Sequence, residues 1–84
     1  MSFAVSFSPQ AQKFLDRLQK DVALRITGKP RQVAEAPFRF LEHYEGTDDY
    51  KLRIGDYRAL IDVDLPAQVL KVRVLDKRGR IYKR

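Results

Sequence analysis

The sequence predicts an α+β domain of order β-α-α-β-β-β, a twisted, mostly antiparallel four-stranded sheet with a two-helix hairpin on one face. Three observations predict it. An alternating segment, Phe3-Ala4-Val5-Ser6-Phe7, opens the chain. Apolar residues at helical spacing follow it. The second half then alternates apolar with polar residues in three runs, separated by Gly55-Asp56 and by Leu65-Pro66-Ala67-Gln68. At 84 residues one domain spanning 1–84 with a modest core is expected.

The elements follow in order. Phe3 to Phe7 reads as a strand. Ser8-Pro9 is an N-cap followed by proline at the first helical position. Ala11, Phe14, Leu15 and Leu18 then recur at i, i+3, i+4, i+7, which predicts a helix over 9–19. A second helix is predicted from about residue 21 to about 35, with Val22, Ile26 and Val33 on one stripe. Gly28 and Pro30 interrupt that stripe, so a kink or short break is expected at 28–30, and Pro37 stops the helix. Residues 38–49 read as a linker with a turn at Glu45-Gly46. Strands follow over 50–54, 57–64 and 69–75. In the last, Leu70, Val72 and Val74 share the covered face while Lys71 and Arg73 take the other.

The composition narrows the chemistry. There is no cysteine, so no disulfide framework and no thiolate metal site is possible. The single histidine, His43, has no Ser, Cys or metal partner in the sequence and reads as structural, and no metal ligand cluster has useful spacing. No cofactor is expected. The opening MSFAVSFSPQ has no basic region before a long apolar run, no segment is long enough to span a membrane, and a cytoplasmic location is expected.

The net charge of +6 is unevenly placed. Residues 1–49 hold seven Lys/Arg and seven Asp/Glu, whereas residues 50–84 hold ten Lys/Arg and four Asp. The tail KRGRIYKR carries Lys77, Arg78 and Arg80 among its five basic residues and no acid. Such an excess fits a polyanion partner, most often nucleic acid, and also fits a solubilising basic surface.

The hairpin YKLRIGDYR decides where the charge lies. With Gly55-Asp56 as a two-residue loop, Arg53 falls opposite Arg58, with Lys51 two residues away on the same face. Like charges directly opposite one another are destabilising. A phosphate between them would offset that cost, because guanidinium forks bind phosphate oxygens in two-point geometry. Lys71 or Arg73 should lie nearby. Tyr82, ringed by cations in the tail, suits stacking on a base, and its phenolate is favoured there as a proton acceptor. Packing on the core edge is the other reading of Tyr82.

With these residues in place, the sequence resembles the RelE toxins of prokaryotic toxin–antitoxin systems, within the RelE/ParE superfamily. The resemblance runs nearly end to end. The hairpin Arg53-Ile54-Gly55-Asp56-Tyr57-Arg58 carries the superfamily pattern, and the ending Lys77-Arg78-Gly79-Arg80-Ile81-Tyr82 carries that of the RelE branch. The resemblance implies metal-independent cleavage of messenger RNA in the ribosomal A site, against 16S ribosomal RNA, and neutralisation by a RelB-like antitoxin. It implies that the 2′-hydroxyl attacks the adjacent phosphate, leaving a cyclic phosphate and a 5′-hydroxyl. It matches Tyr82 to the general base and Arg78 to the group serving the leaving oxygen, with Lys51, Arg53 and Arg58 around the scissile phosphate. Lys71, Arg73, Lys77 and Arg80 are expected to add phosphate contacts. Arg53 stands where some members have lysine, and a guanidinium stabilises charge without exchanging a proton. Gly79 takes a position that is often basic or polar. The chain stops at Arg84, so no long helix is expected after Tyr82. A gyrase-inhibiting, ParE-like toxin and an inactive antitoxin-binding member are the alternatives on the same fold.

Overall fold

Alternation in the second half of the chain becomes a meander. In the computed structural model, which describes residues 3–77, β3 (Tyr50–Ile54), β4 (Tyr57–Asp64) and β5 (Val69–Lys77) pair antiparallel in succession. The β3–β4 loop is Gly55-Asp56, and of its two residues only Gly55 has positive φ, 59°, as a two-residue hairpin with glycine first requires. β1 (Ala4–Phe7) returns to pair parallel with β5.

The described residues hold a sheet of five strands rather than the four expected, in the order β1-β5-β4-β3-β2. The added strand, β2 (Glu42–His43), pairs antiparallel with β3 and lies in the predicted linker. Two residues are too few to alternate visibly. A one-turn helix, α3 (Pro37–Phe40), precedes it, so Pro37 begins an element rather than only stopping one.

α1 (Pro9–Asp16) starts as read: Pro9 is at the first turn and the Ser8 hydroxyl accepts the Ala11 N–H at 3.1 Å. α2 spans Lys20–Val33 without the expected break at 28–30. Ile26, Pro30 and Val33, at i, i+4, i+7, are all buried. The proline ring is part of the packed stripe, and its burial offsets the lost backbone bond. Ala11 and Leu15 of α1 and Ile26 and Val33 of α2 join Leu52, Ile54, Ala59, Ile61, Leu70, Val72 and Leu75 of the sheet in one core. The helices therefore cover one face and leave the other open.

β5 departs from simple alternation. Ile61 pairs with Val72 while Leu60 pairs with Val74, so Arg73 is an extra residue in a bulge. The bulge inverts the parity beyond it. Leu75, not Val74, enters the core, and Val74 turns to the open face opposite Leu60. The Ser8 hydroxyl that caps α1 also donates to the Arg73 carbonyl, and the Ser8 N–H donates to Val72 O at 2.9 Å. Ser8 thus ties the helix start to the bulge. No helix among the described residues is long and apolar enough to cross a membrane.

Candidate functional site: a cationic depression on the open sheet face

The register places Arg53 directly opposite Arg58 and Lys51 opposite Leu60. Leu52 and Ala59, one position over, are buried toward the helices. The three cations therefore share the open face, and a one-residue slip would have sent them into the core. Together with Phe40 and Glu42 they line a depression of about 270 Å³.

Each cation is held differently. The Arg58 guanidinium folds onto the hairpin turn, where its Nη1 donates to the carbonyls of Gly55 at 3.3 Å and Tyr57 at 3.0 Å. Those carbonyls accept its hydrogen bonds and turn their negative dipole ends toward it, which lowers the repulsion from Arg53 across the ladder. Lys51 Nζ lies 3.4 Å from Glu42 Oε1 and 5.5 Å from the centre of the Tyr44 ring. Glu42 is largely exposed, so this pair is weak and easily exchanged for another anion. The Arg53 side chain is exposed and lines a second depression as well, with Arg25, Lys29 and Gln32 of α2. The basic surface thus continues from the sheet over the hairpin onto α2.

Lys71 and Arg73 lie elsewhere on the same face. Lys71 is opposite Asp62 and pairs with Asp64 at 3.3 Å, four residues along β4 from Arg58, or about 13 Å. Arg73 Nη1 reaches both carboxylate oxygens of Asp49, at 3.0 and 3.1 Å. Asp49 is presented by a tight loop, in which the Thr47 hydroxyl donates to Tyr44 O and accepts the Asp49 N–H. Asp64 is held below its ordinary value of 3.8, first by the Ala67 N–H and then by Lys71. Lys77 ends β5 opposite Tyr57 and is exposed. Arg78, Arg80 and Tyr82 lie outside the described residues.

Four contributors had no clear signal in the sequence. Asp76 is a buried carboxylate directly opposite Arg58, and its Oδ1 accepts the Lys77 N–H at 2.7 Å. Arg25 and Lys29 stand at i, i+4 on α2, a spacing that marks one helix face without saying what it flanks. Phe40 is half exposed at the rim. His43, read as structural, packs edge-on against Tyr50 with ring centres 5.3 Å apart. No group of three or more His, Asp or Glu that could hold a metal ion occurs among the described residues.

Chemically, the depression can bind an anion of phosphate size by charge and forked hydrogen bonds. A family model described as the ParE toxin of type II toxin–antitoxin systems, parDE, matches residues 5–82. No match is found among curated proteins. Among solved structures, the chain is similar to the RelE–RelB complex of Pyrococcus horikoshii OT3, at 31% identity and TM-score 0.78 over 95% of this chain and 99% of that one. It is similar to the RelBE toxin–antitoxin complex of E. coli at 26% identity and TM-score 0.74, over 94% of this chain and 100% of that one. The RelBE2 complex of Mycobacterium tuberculosis shares the fold, with TM-score 0.81 at 20% identity over 93% and 100% of the two chains. The sheet, the open basic face and the family match lead to one assignment: the chain belongs to the ParE toxin family and is a type II toxin of the RelE/ParE superfamily.

Proposed function

We propose that this toxin is a ribosome-dependent endoribonuclease that cuts messenger RNA in the A site and acts in the cytoplasm. The observation that carries the reading is the Arg53–Arg58 pair, directly opposed and flanked by Lys51 in one open depression. A fold gains nothing from that opposition; a bound phosphate makes it favourable.

As the RelE resemblance implies, the reaction on the ribosome is metal-independent. The ribose 2′-oxygen attacks the adjacent phosphorus, the bond to the 5′-oxygen breaks, and a 2′,3′-cyclic phosphate and a 5′-hydroxyl remain. Arg53 and Arg58 bind the phosphate and stabilise the charge that grows on its oxygens. Lys51 shares that work. Tyr82 takes the 2′-proton, and Arg78 stabilises the departing 5′-oxygen, which takes its proton from water, in the roles the RelE resemblance implies. Lys71, Arg73, Lys77 and Arg80 guide the backbone through longer-range charge.

The partner that silences it is a RelB-like antitoxin, a chain with acidic and apolar residues that folds as it binds along the helices and across the basic face. The similar structures from Pyrococcus horikoshii and E. coli are a RelE–RelB complex and a RelBE toxin–antitoxin complex. Binding of this sort weakens with added salt, and an affinity indifferent to ionic strength would remove charge neutralisation from the proposal.

Single-turnover cleavage on programmed ribosomes tests the activity, with binding measured separately. Tyr82→Phe keeps the ring and deletes the ionisable oxygen. It should leave ribosome binding nearly intact and slow cleavage roughly a hundredfold or more. Parent-rate cleavage by this variant would move the base role to Lys51. If the parent protein cuts no RNA but inhibits DNA supercoiling by gyrase, the ParE-like activity replaces this one.

A further inference from the structure

Phe40 is an aromatic side chain with no share in the core: 53% of it is exposed, and the cluster that joins the helices to the sheet does not include it. Its backbone is nonetheless fixed on both sides. Leu41, the next residue, is buried in the core and donates its N–H to Pro37 O at 2.8 Å. Glu42 is paired to Lys51 in the sheet register. The ring forms one wall of the depression that holds Lys51, Arg53 and Arg58. Lys29, reaching from α2, holds its ammonium 5.9 Å from the ring centre, within the range of a cation–π contact.

We infer that Phe40 is a stacking platform for one base of the RNA whose phosphate the three cations bind, so that the site reads a nucleotide and not only a phosphate. This rests on the ribonuclease reading above. The physical argument is the combination. Cations alone hold a backbone without ordering the bases. An exposed aromatic plane beside them supplies the π-face on which an unpaired base stacks, and every base has one. The backbone that carries the ring is already placed by Leu41 and Glu42, so stacking orders little more than one side chain. Lys29 steadies the ring and brings a fourth positive charge beside the strand.

The test is a cycle between the ring and the base. Ribosomes are programmed with messenger RNA whose A-site codon is intact or carries an abasic nucleotide at each of its positions in turn. The half-saturating toxin concentration is read from single-turnover cleavage. Phe40→Leu keeps apolar bulk and removes the π-face. It should raise half-saturation roughly fivefold to a hundredfold, the range for one stacked base, and Phe40→Trp should restore the parent value. One abasic position should produce the same loss in the parent protein and add nothing further in Phe40→Leu. Equal half-saturation for Phe40→Leu and parent overturns the proposal, as do losses that simply add at all three positions. Failure of the parent protein to cut any codon would overturn the ribonuclease reading and this inference together, and is seen before any variant is made.

Discussion

At the hairpin end of the open face, Arg53 and Arg58 oppose each other, Arg58 leans on backbone carbonyls, and Lys51 meets an exposed glutamate. Toward the other end, Lys71 meets Asp64 and Arg73 is gripped by both oxygens of Asp49, itself mostly shielded. The residue types are the same and the accounting differs. Away from the hairpin, Lys71 and Arg73, which act only at long range, are balanced by carboxylates. At the hairpin the Arg58 guanidinium donates to backbone carbonyls, with the buried Asp76 opposite it in the next strand, and the carboxylate that meets Lys51 is largely exposed. The way the charge is held, rather than its amount, separates the candidate site from the rest of the basic surface.

The strongest way to break this comparison is Arg58→Ala. It removes charge felt by bound RNA and by the transition state alike, so single-turnover cleavage should fall about a hundredfold to a thousandfold, the scale of one stabilising donor. A loss no larger than that of Arg73→Ala would erase the distinction between the two ends. Gly55→Ala comes next. The space around Gly55 is open, but its φ of 59° is left-handed, so the added methyl should cost about 1–2 kcal/mol, read from the urea midpoint at unchanged m-value. Because that turn sets the Arg53–Arg58 register, cleavage should fall with it. Arg73→Ala should cost only about 0.2–1 kcal/mol of stability, as exposed pairs do, and weaken RNA binding less than tenfold.

The smallest effect is on pH. The Asp64 carboxyl is depressed in the folded protein, by the Ala67 N–H first and Lys71 second. Its contribution to stability is therefore complete above the ordinary value near 3.8 and is lost as the pH falls through the lower folded value. An NMR titration of Asp64 should show the depressed midpoint, and Lys71→Met should move it up only in part, since the larger cause remains.

The hairpin was legible in the sequence because two independent signals agree there: strict parity on both sides and a Gly-Asp pair that only a tight turn suits. That agreement fixes Arg53 against Arg58. Between Val72 and Leu75 the parity signal misleads. Val72-Arg73-Val74 alternates perfectly as text, yet the Arg73 bulge sends Val74 outward and Leu75 inward. Pro30 fails for the opposite reason. Local propensity argues for a break, while its place on the Ile26–Val33 stripe argues for burial, and packing prevails. Phe40, Arg25 and Lys29 were not legible as site residues. They reach the cations from separate elements, and only the folded chain brings α2, α3 and the hairpin side by side.

β5 lies between β1 and β4, so the last strand of the described residues is interior to the sheet. Until Val69 to Lys77 has been synthesised, β1 has no partner strand and β4 has an open edge. The core lacks Leu70, Val72 and Leu75 for the same interval. The nascent chain therefore cannot close this sheet until Val69 to Lys77 has been translated. A toxin built this way cannot mature before β5 is made, and the order of strands acts as a timer on when the protein can first do harm.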